Sequence, residues 1–367
     1  MKKINWFFGP KEYINSGIYK YSNTFISFFN ENYTDLEIES HYILYSATSV
    51  FRKIYQLIIL PLKVIFLYRK NTNVFVVESF LLATLFPFFP YKNSIIIIHD
   101  YRDFNLTDKN PSFIQKMKNK ILLKSYSKIS KFKHVIFVSL YTYQKVSESF
   151  PNIKKNGVVI ENSFKINDSP QETLNKAAKI SFLKKFGFKN DEKIILTVSS
   201  EEERKNVPTV IKAAANLPDF TFIKVGKAII EENRLHNFKY IETHNISNFF
   251  FLEDLTENEL NTLYKISDIF VFPSSFEGFG RPPIEAQIMK TPVISSSIQV
   301  LKNHLKDSVI YLNNEKDSEE LIEKINYVMN KSNSLEINSI IEKGYINSKR
   351  FDVEKNGVKF YKLLTNY

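Results

Sequence analysis

The stretch Phe276-Glu277-Gly278-Phe279-Gly280-Arg281-Pro282-Pro283-Ile284-Glu285-Ala286 decides how this chain is read. Immediately before it runs Asp268-Ile269-Phe270-Val271-Phe272-Pro273, an apolar segment with the length of a buried strand. Gly278 and Gly280 then lead into Pro282 and Pro283, and Ile284 to Met289 has helical character. Proline suits the first turn of a helix, because the N–H it lacks would have no intrahelical acceptor there. The segment therefore predicts a strand, a glycine-bearing turn and a helix N-terminus. Such a terminus directs N–H groups and partial positive charge at whatever lies in front of it. Glu277 falls in the turn and Glu285 in the expected first helical turn, eight positions apart. This layout suits a ligand carrying a phosphate and several hydroxyls, such as a nucleotide sugar.

The same alternation extends outward. Lys193 to Ser199 reads as a strand, Val207 to Asn216 as a helix, and Thr221 to Val225 and Asn248 to Leu252 as strands. Thr256-Glu257-Asn258-Glu259 makes a capping box that opens a helix running to about Ser267, and Pro292 to Ser296 is a further strand. Strands alternating with helices predict a parallel sheet covered on both faces. The first half carries candidate strands at Lys3 to Phe8, Val74 to Glu78, Ser94 to His99, His134 to Ser139 and Gly157 to Glu161. The polar segment Ser163 to Lys179, with Asp168-Ser169-Pro170, reads as a linker. The expected division is an N-terminal Rossmann-like domain over 1–165 and a C-terminal one over 180–345. A last helix over about 346–367 is expected to pack back on the first domain.

The chain has 367 residues, 44% hydrophobic and 24% charged, which describes a globular protein with room for two cores. It contains no cysteine, which removes disulfides, thiolate metal sites and a cysteine nucleophile. The apolar part of Met1 to Pro10 is too short for a signal peptide. Leu57 to Leu67 and Phe80 to Phe89 fall short of the ~20 residues that span a bilayer, and both are expected to be buried elements. The formal charge is +11, concentrated in Lys109 to Lys133, which carries eight lysines and no acid. Ile114, Met117, Ile121, Tyr126 and Ile129 recur through it at near-helical spacing. A solvated helix face accounts for this pattern; so does reversible attachment to an anionic membrane surface. No nucleic-acid-binding motif accompanies the charge.

The opening stretch resembles the Glu-x7-Glu motif of retaining glycosyltransferases of family 4, relatives of glycogen synthase and sucrose synthase. Their usual form is E-G-F-G-L-P-P-L-E-A followed by G-T-P-V. Here Arg281 replaces an apolar residue, and Lys290 precedes Thr291-Pro292-Val293 in place of glycine. The resemblance implies an α/β chain of two Rossmann-like domains facing across a cleft, the GT-B architecture. It implies that Glu285 accepts hydrogen bonds from the donor ribose and that Glu277 lies near the transferred sugar. Gly278, Phe279 and Gly280 would offer backbone N–H groups to sugar and phosphate. Arg204-Lys205-Asn206 resembles the family's R-K-N, whose cations stabilise the departing nucleoside diphosphate. Glu201 to Glu203, immediately upstream, would repel the same phosphates unless they point away. His99, followed by Asp100, matches the family's H-D pair and would donate to a sugar hydroxyl or a developing charge, a structural histidine being the alternative. Ser16-Gly17-Ile18-Tyr19-Lys20 resembles its glycine turn, where Gly17 would let the backbone approach the donor. Weaker echoes fall at Ile136 to Ser139 and Val159 to Asn162.

No Asp-x-Asp occurs, so metal-independent catalysis is expected, with no cofactor beyond the nucleotide diphosphate sugar as co-substrate. G-x-S-x-G and Walker motifs are absent, which leaves hydrolase and ATPase readings without support. The expected activity is retaining transfer of a hexose, mannose favoured, to a hydroxyl of a growing surface glycan such as O-antigen, lipid-linked or free. The expected location is the cytoplasm, peripheral on the membrane. The alternatives are a nucleotide-sugar epimerase or hydrolase of the same fold, and a non-enzymatic basic protein that binds membranes or polyanions.

Overall fold

The computed structural model describes residues 1–11, 16–45, 51, 55–68, 73–78, 90–101, 120, 123–124, 126–166, 176–189 and 192–366. The chain forms two units, residues 1–165 with 351–367, and residues 166–350. Each holds one six-stranded sheet in which the strand pairings are parallel among the described residues.

In the first unit the strands are β1 (Lys2–Pro10), β2 (Leu36–Ile43), β3 (Asn73–Val77), β4 (Ser94–Ile98), β5 (His134–Phe137) and β6 (Gly157–Val159). Their order in the sheet is β2-β1-β3-β4-β5-β6. The interior strands are continuous apolar runs because helices cover both faces; β4 is buried along its whole length. The sequence reading missed β2, an edge strand whose Glu37 and Glu39 stay outside the core. Helix Gly17–Asn32 turns Tyr21, Phe25, Phe28 and Phe29 inward. Helix Val353–Thr365 lays Phe360 against Trp6, Phe25 and Phe29, with ring centroids 5.3–5.5 Å apart. The two helices approach so closely at Gly357 that a Cβ there would collide with the Phe28 ring.

Two expectations need correction here. The run from Leu57 to Leu67 is not simply buried. Leu60 and Val64 of helix Leu60–Tyr68 enter the core, whereas Ile58, Ile59 and Leu62 are 56%, 46% and 63% exposed. Residues four apart share one helix face, and only that face meets the sheet. The segment expected to be a linker also begins later than read. Phe164 is buried and bridges Asp352 within the first unit, and helix Lys176–Lys185 already occupies the far end. Residues 167–175 lie outside the described residues, as do Phe80 to Phe89. Most of the basic stretch, including Ile114, Met117 and Ile121, does too. Its described part is helical over 126–129, where Tyr126 and Ile129 are buried in the same apolar cluster as Leu60 and Val64.

The second unit carries β7 (Lys193–Val198), β8 (Phe220–Val225), β9 (Phe249–Leu252), β10 (Ile269–Phe272), β11 (Val293–Ser296) and β12 (Ile310–Leu312). Their order is β12-β11-β10-β7-β8-β9. β7 and β10 are hydrogen-bonded neighbours, with Ile269 opposite Ile195 and Phe270 opposite Leu196. Strand order reverses between them, and ligands of open α/β sheets bind at such switch points, beyond the strands' carboxyl ends. Thr256 and Glu259 close the capping box that starts helix Glu257–Ile266.

Candidate functional site

Both loops that leave the β7/β10 switch point carry charged side chains, and they interlock. After β7 the chain makes a short turn at Glu203–Lys205, and Asn206 adopts a left-handed conformation with φ 50°. The Asn206 amide donates to the Pro273 carbonyl at 2.8 Å. The Arg204 carbonyl accepts the Ser275 N–H at 2.8 Å. One loop is thereby stitched to the other.

The side chains complete the junction. Glu277 is 9% exposed, and its Oε1 accepts from Lys205 Nζ and, at 2.6 Å, from the Ser274 hydroxyl. Arg204 Nη1 lies 3.5 Å from Glu277 Oε2 and donates to the Phe276 carbonyl at 2.9 Å. Arg204 Nη2 donates to Glu202 Oε2 at 2.6 Å. Burial alone would raise the Glu202 carboxyl, but the Arg204 charge and hydrogen bond hold it below its usual range. Two carboxylates and two cations thus form one neutral cluster.

The turn from Glu277 to the helix uses backbone freedom at one position. Gly280 has φ 89°, and a Cβ there would strike Leu301. Gly278 and Gly17 are not among the described glycines with positive φ. Beneath the turn, His304 Nδ1 donates to the Phe279 carbonyl at 2.8 Å, and the two rings lie 4.2 Å apart. Burial holds the His304 pKa down at about 4, against the raising effect of that hydrogen bond. His304 is therefore a neutral donor that fixes the loop carbonyl.

Glu285 differs from the sequence expectation. The helix spans Arg281–Ile288, so Glu285 lies in its second turn. Arg281 opens the helix ahead of the two prolines, which moves Glu285 past the first turn. Glu285 Oε2 accepts from the Tyr264 hydroxyl at 3.1 Å, and Oε1 lies 3.4 Å from Arg281 Nε. Arg281, the departure from the motif, is the counter-ion of the motif's second carboxylate. Burial and Glu285 together raise the Tyr264 hydroxyl well above its ordinary pKa, so it remains a donor.

Glu201 points away from the cluster. Its carboxylate is buried, and Oε1 accepts from Lys224 Nζ at 3.0 Å and Arg234 Nε at 2.6 Å. Oε2 accepts from Asn237 at 3.0 Å, and the Asn233 amide donates to the Glu201 carbonyl at 2.6 Å. Burial would raise this carboxyl, but Arg234 and Lys224 hold it low. The expected clash with phosphates therefore does not arise at this residue, because it is neutralised inside the unit.

The remaining two residues belong to the first unit. Gly17 is the first residue of helix Gly17–Asn32, after Ser16. His99 follows β4, and its Nε2 lies 2.6 Å from Oε2 of Glu78, a residue the sequence reading treated only as the end of a strand. Among the described residues no group of three acids or histidines could hold a metal ion.

Residues 179–345, which contain the whole interlocked cluster, match the family described as Glycosyl transferases group 1. Over this segment the chain is similar to the group 1 glycosyl transferases. Their GT-B architecture recurs over the full chain. A crystal structure of Anabaena Alr3699/HepE in complex with UDP and glucose superposes with TM-score 0.77, covering 100% of both chains at 16% identity. Sucrose-phosphate synthase from Thermosynechococcus elongatus superposes with TM-score 0.74 at 14% identity, covering 99% of this chain and 98% of that one. Among curated proteins, the O-antigen chain mannosyltransferase RfbU of Salmonella typhimurium is 29% identical over 222 residues, 60% of this chain and 57% of that protein. The Escherichia coli O-antigen biosynthesis glycosyltransferase WclY is 27% identical over 216 residues, 59% of this chain and 57% of that protein. The matched part thus spans less than two thirds of these curated relatives.

Proposed function

We propose that the protein is a retaining hexosyltransferase that moves mannose from a nucleotide diphosphate sugar to a hydroxyl of a growing surface glycan. The observation that carries this reading is the Glu277–Lys205–Arg204 cluster at the switch point of a group 1 glycosyl transferase domain. Donor phosphates would exchange for the carboxylates now held by Arg204 and Lys205, and the two cations would stabilise the leaving diphosphate. Glu277, released from Lys205, would face the sugar. Glu285 would take the ribose hydroxyls, oriented by Arg281 and Tyr264. Mannose is favoured because RfbU and the serotype-specific WbdA proteins of Escherichia coli are named mannosyltransferases. A nucleotide sugar donor agrees with the UDP and glucose bound by the Anabaena structure.

Catalysis needs no divalent ion in this reading, since cationic side chains balance the diphosphate. The acceptor is a glycan hydroxyl, lipid-linked or free. The lysines of the basic stretch and the exposed Ile58, Ile59 and Leu62 support peripheral attachment to an anionic membrane. No helix among the described residues is long and apolar enough to cross a membrane.

The test is to incubate the protein with GDP-mannose, UDP-glucose and related donors, with and without glycan acceptors, in EDTA, and to assign the product anomer by NMR. Retained anomeric configuration in EDTA is the expected result. Inversion, or activity that only Mg²⁺ or Mn²⁺ restores, overturns the mechanism. Donor consumption without acceptor points instead to an epimerase or hydrolase.

A further inference from the structure

The carboxylate of Glu78 takes no part in the reading above, yet its surroundings are those of a functional group. In the first unit, strand order reverses between β1 and β3, and Glu78 is the residue that follows β3. Its backbone N–H donates to the Phe7 carbonyl of β1 at 3.0 Å, which fixes the main chain at that switch point. The side chain is 1% exposed. Oε1 accepts from Trp6 Nε1 at 2.8 Å and from the Ser22 hydroxyl. Oε2 faces His99 Nε2 at 2.6 Å. The His99 ring also meets the edge of Tyr21, with centroids 5.3 Å apart and planes at 89°, and Tyr21 is itself tied to the Ile160 carbonyl.

Donor and acceptor counting gives this arrangement a direction. Indole N–H can only donate, and an ionised carboxylate can only accept. Trp6 and Ser22 both donate to Oε1, which leaves Oε2 to His99; with an acceptor carboxylate the bond there is Nε2–H to Oε2. In that arrangement Nε2 carries the proton and Nδ1 is the nitrogen turned away from Glu78. We propose that Glu78 is a positioning residue that sets the tautomer and ring orientation of His99, so that His99 presents Nδ1 to the reacting sugar. The same logic governs the carboxylate behind the histidine of a serine-protease triad. This inference rests on the transferase reading and on the role in transfer that the family's H-D pair implies for His99.

Glu78→Gln tests it, because the change keeps volume and hydrogen bonding but reverses one bond. The amide oxygen still accepts from Trp6 and Ser22, while the amide N–H donates to Nε2 and moves the histidine proton to Nδ1. Labelling histidines with ¹⁵N and comparing wild type, Glu78→Gln and His99→Gln by NMR assigns the ring and reads the tautomer without any need for activity. The expected result is a switch to Nδ1–H in Glu78→Gln, with kcat reduced roughly tenfold or more and donor Kd changed less than about threefold. If Glu78→Gln does not fold, Glu78→Asp, which keeps the charge but withdraws it by one methylene, is read in the same way; loss of the Nε2–H bond signature with reduced kcat is then expected. His99 resonances unchanged by either substitution overturn the positioning role. A switched tautomer with wild-type kcat overturns its link to transfer. Wild-type protein that transfers nothing from any nucleotide sugar sinks the transferase reading, while the NMR comparison still decides the pairing.

Discussion

Changing Lys224 to methionine removes one charge from the most deeply buried ionic group described in the second unit. Lys224 lies in β8 with its side chain fully buried, and its Nζ is shared between Glu201 Oε1 and the Gly226 carbonyl. Arg234 joins the group and also pairs with Glu253. The four charges sum to zero, so the substitution leaves a net −1 beside a carboxylate that is not exposed at all. Methionine fills the space of the lysine stem, which keeps the cavity contribution small. Removing one partner of a buried ion pair costs about 3–5 kcal/mol, and because Arg234 stays on Glu201 the loss should fall near ~3 kcal/mol. With a urea m-value of about 2 kcal/mol/M, the midpoint of the affected transition drops by about 1.5 M. Adding Glu201→Gln restores neutrality and should recover most of that drop. Donor KM should rise in the single variant, since Glu201 anchors the loop that carries Arg204 and Lys205. A midpoint shift below about 0.3 M, or a double variant no more stable than the single one, refutes the argument that this network holds the loop.

The two motif carboxylates should separate kinetically. Glu285→Ala is expected to weaken donor Kd by roughly tenfold or more, and Glu277→Ala to lower kcat by roughly 100-fold; wild-type turnover in both would remove them from the site. His304 should make the second unit acid-sensitive. Its pKa is near 6.5 unfolded and about 4 folded, so its neutral form stabilises the fold fully above about 6.5, and that contribution is lost as pH falls from 6.5 to below 4. The full loss is about 3 kcal/mol. His304→Gln should flatten this part of the pH–stability curve measured by urea unfolding, and an unchanged slope would show that His304 is not the group responsible. Co-sedimentation with anionic and neutral liposomes should show binding that salt only partly reverses. The lysines near the surface lose their hold within a Debye length of ~10 Å at 0.1 M salt, whereas Ile58, Ile59 and Leu62 keep theirs. Changing Lys120, Lys124 and Lys128 to Gln should remove the salt-sensitive part, and binding indifferent to lipid charge, salt and these changes would refute attachment.

The motif stretch was legible because each residue in it has one comfortable backbone role. An apolar run makes β10, Gly280 takes the positive φ, and paired prolines fit the first turn of the helix. The shift of Glu285 into the second turn comes from Arg281, which opens the helix ahead of the prolines expected to begin it. The partners of the site were less visible. Tyr264, Ser274 and His304 come from separate elements, and nothing local marks them. Lys224 did carry a signal, since a lysine between Ile223 and Val225 in a strand buried on both faces demands a carboxylate nearby. That signal would have turned Glu201 from a source of repulsion into a structural anchor. Glu78 ends a strand like many glutamates, and only the fold brings Trp6, Ser22 and His99 to it. β2 escaped because it pairs along one edge only, and β12 because three residues show no period.

The return of residues 351–367 to the first unit has a bearing on how the protein is made. A ribosome delivers all of the second unit before the helix carrying Phe360 exists. Until then Trp6, Phe25 and Phe29 lack the ring that packs against them, and the strand-like bridge between Phe164 and Asp352 has only one side. The unit begun first is therefore finished last. Nascent chains arrested near residue 350 should hold a second unit already resistant to protease and a first unit still open to it, and the last helix acts as the latch that closes vectorial folding.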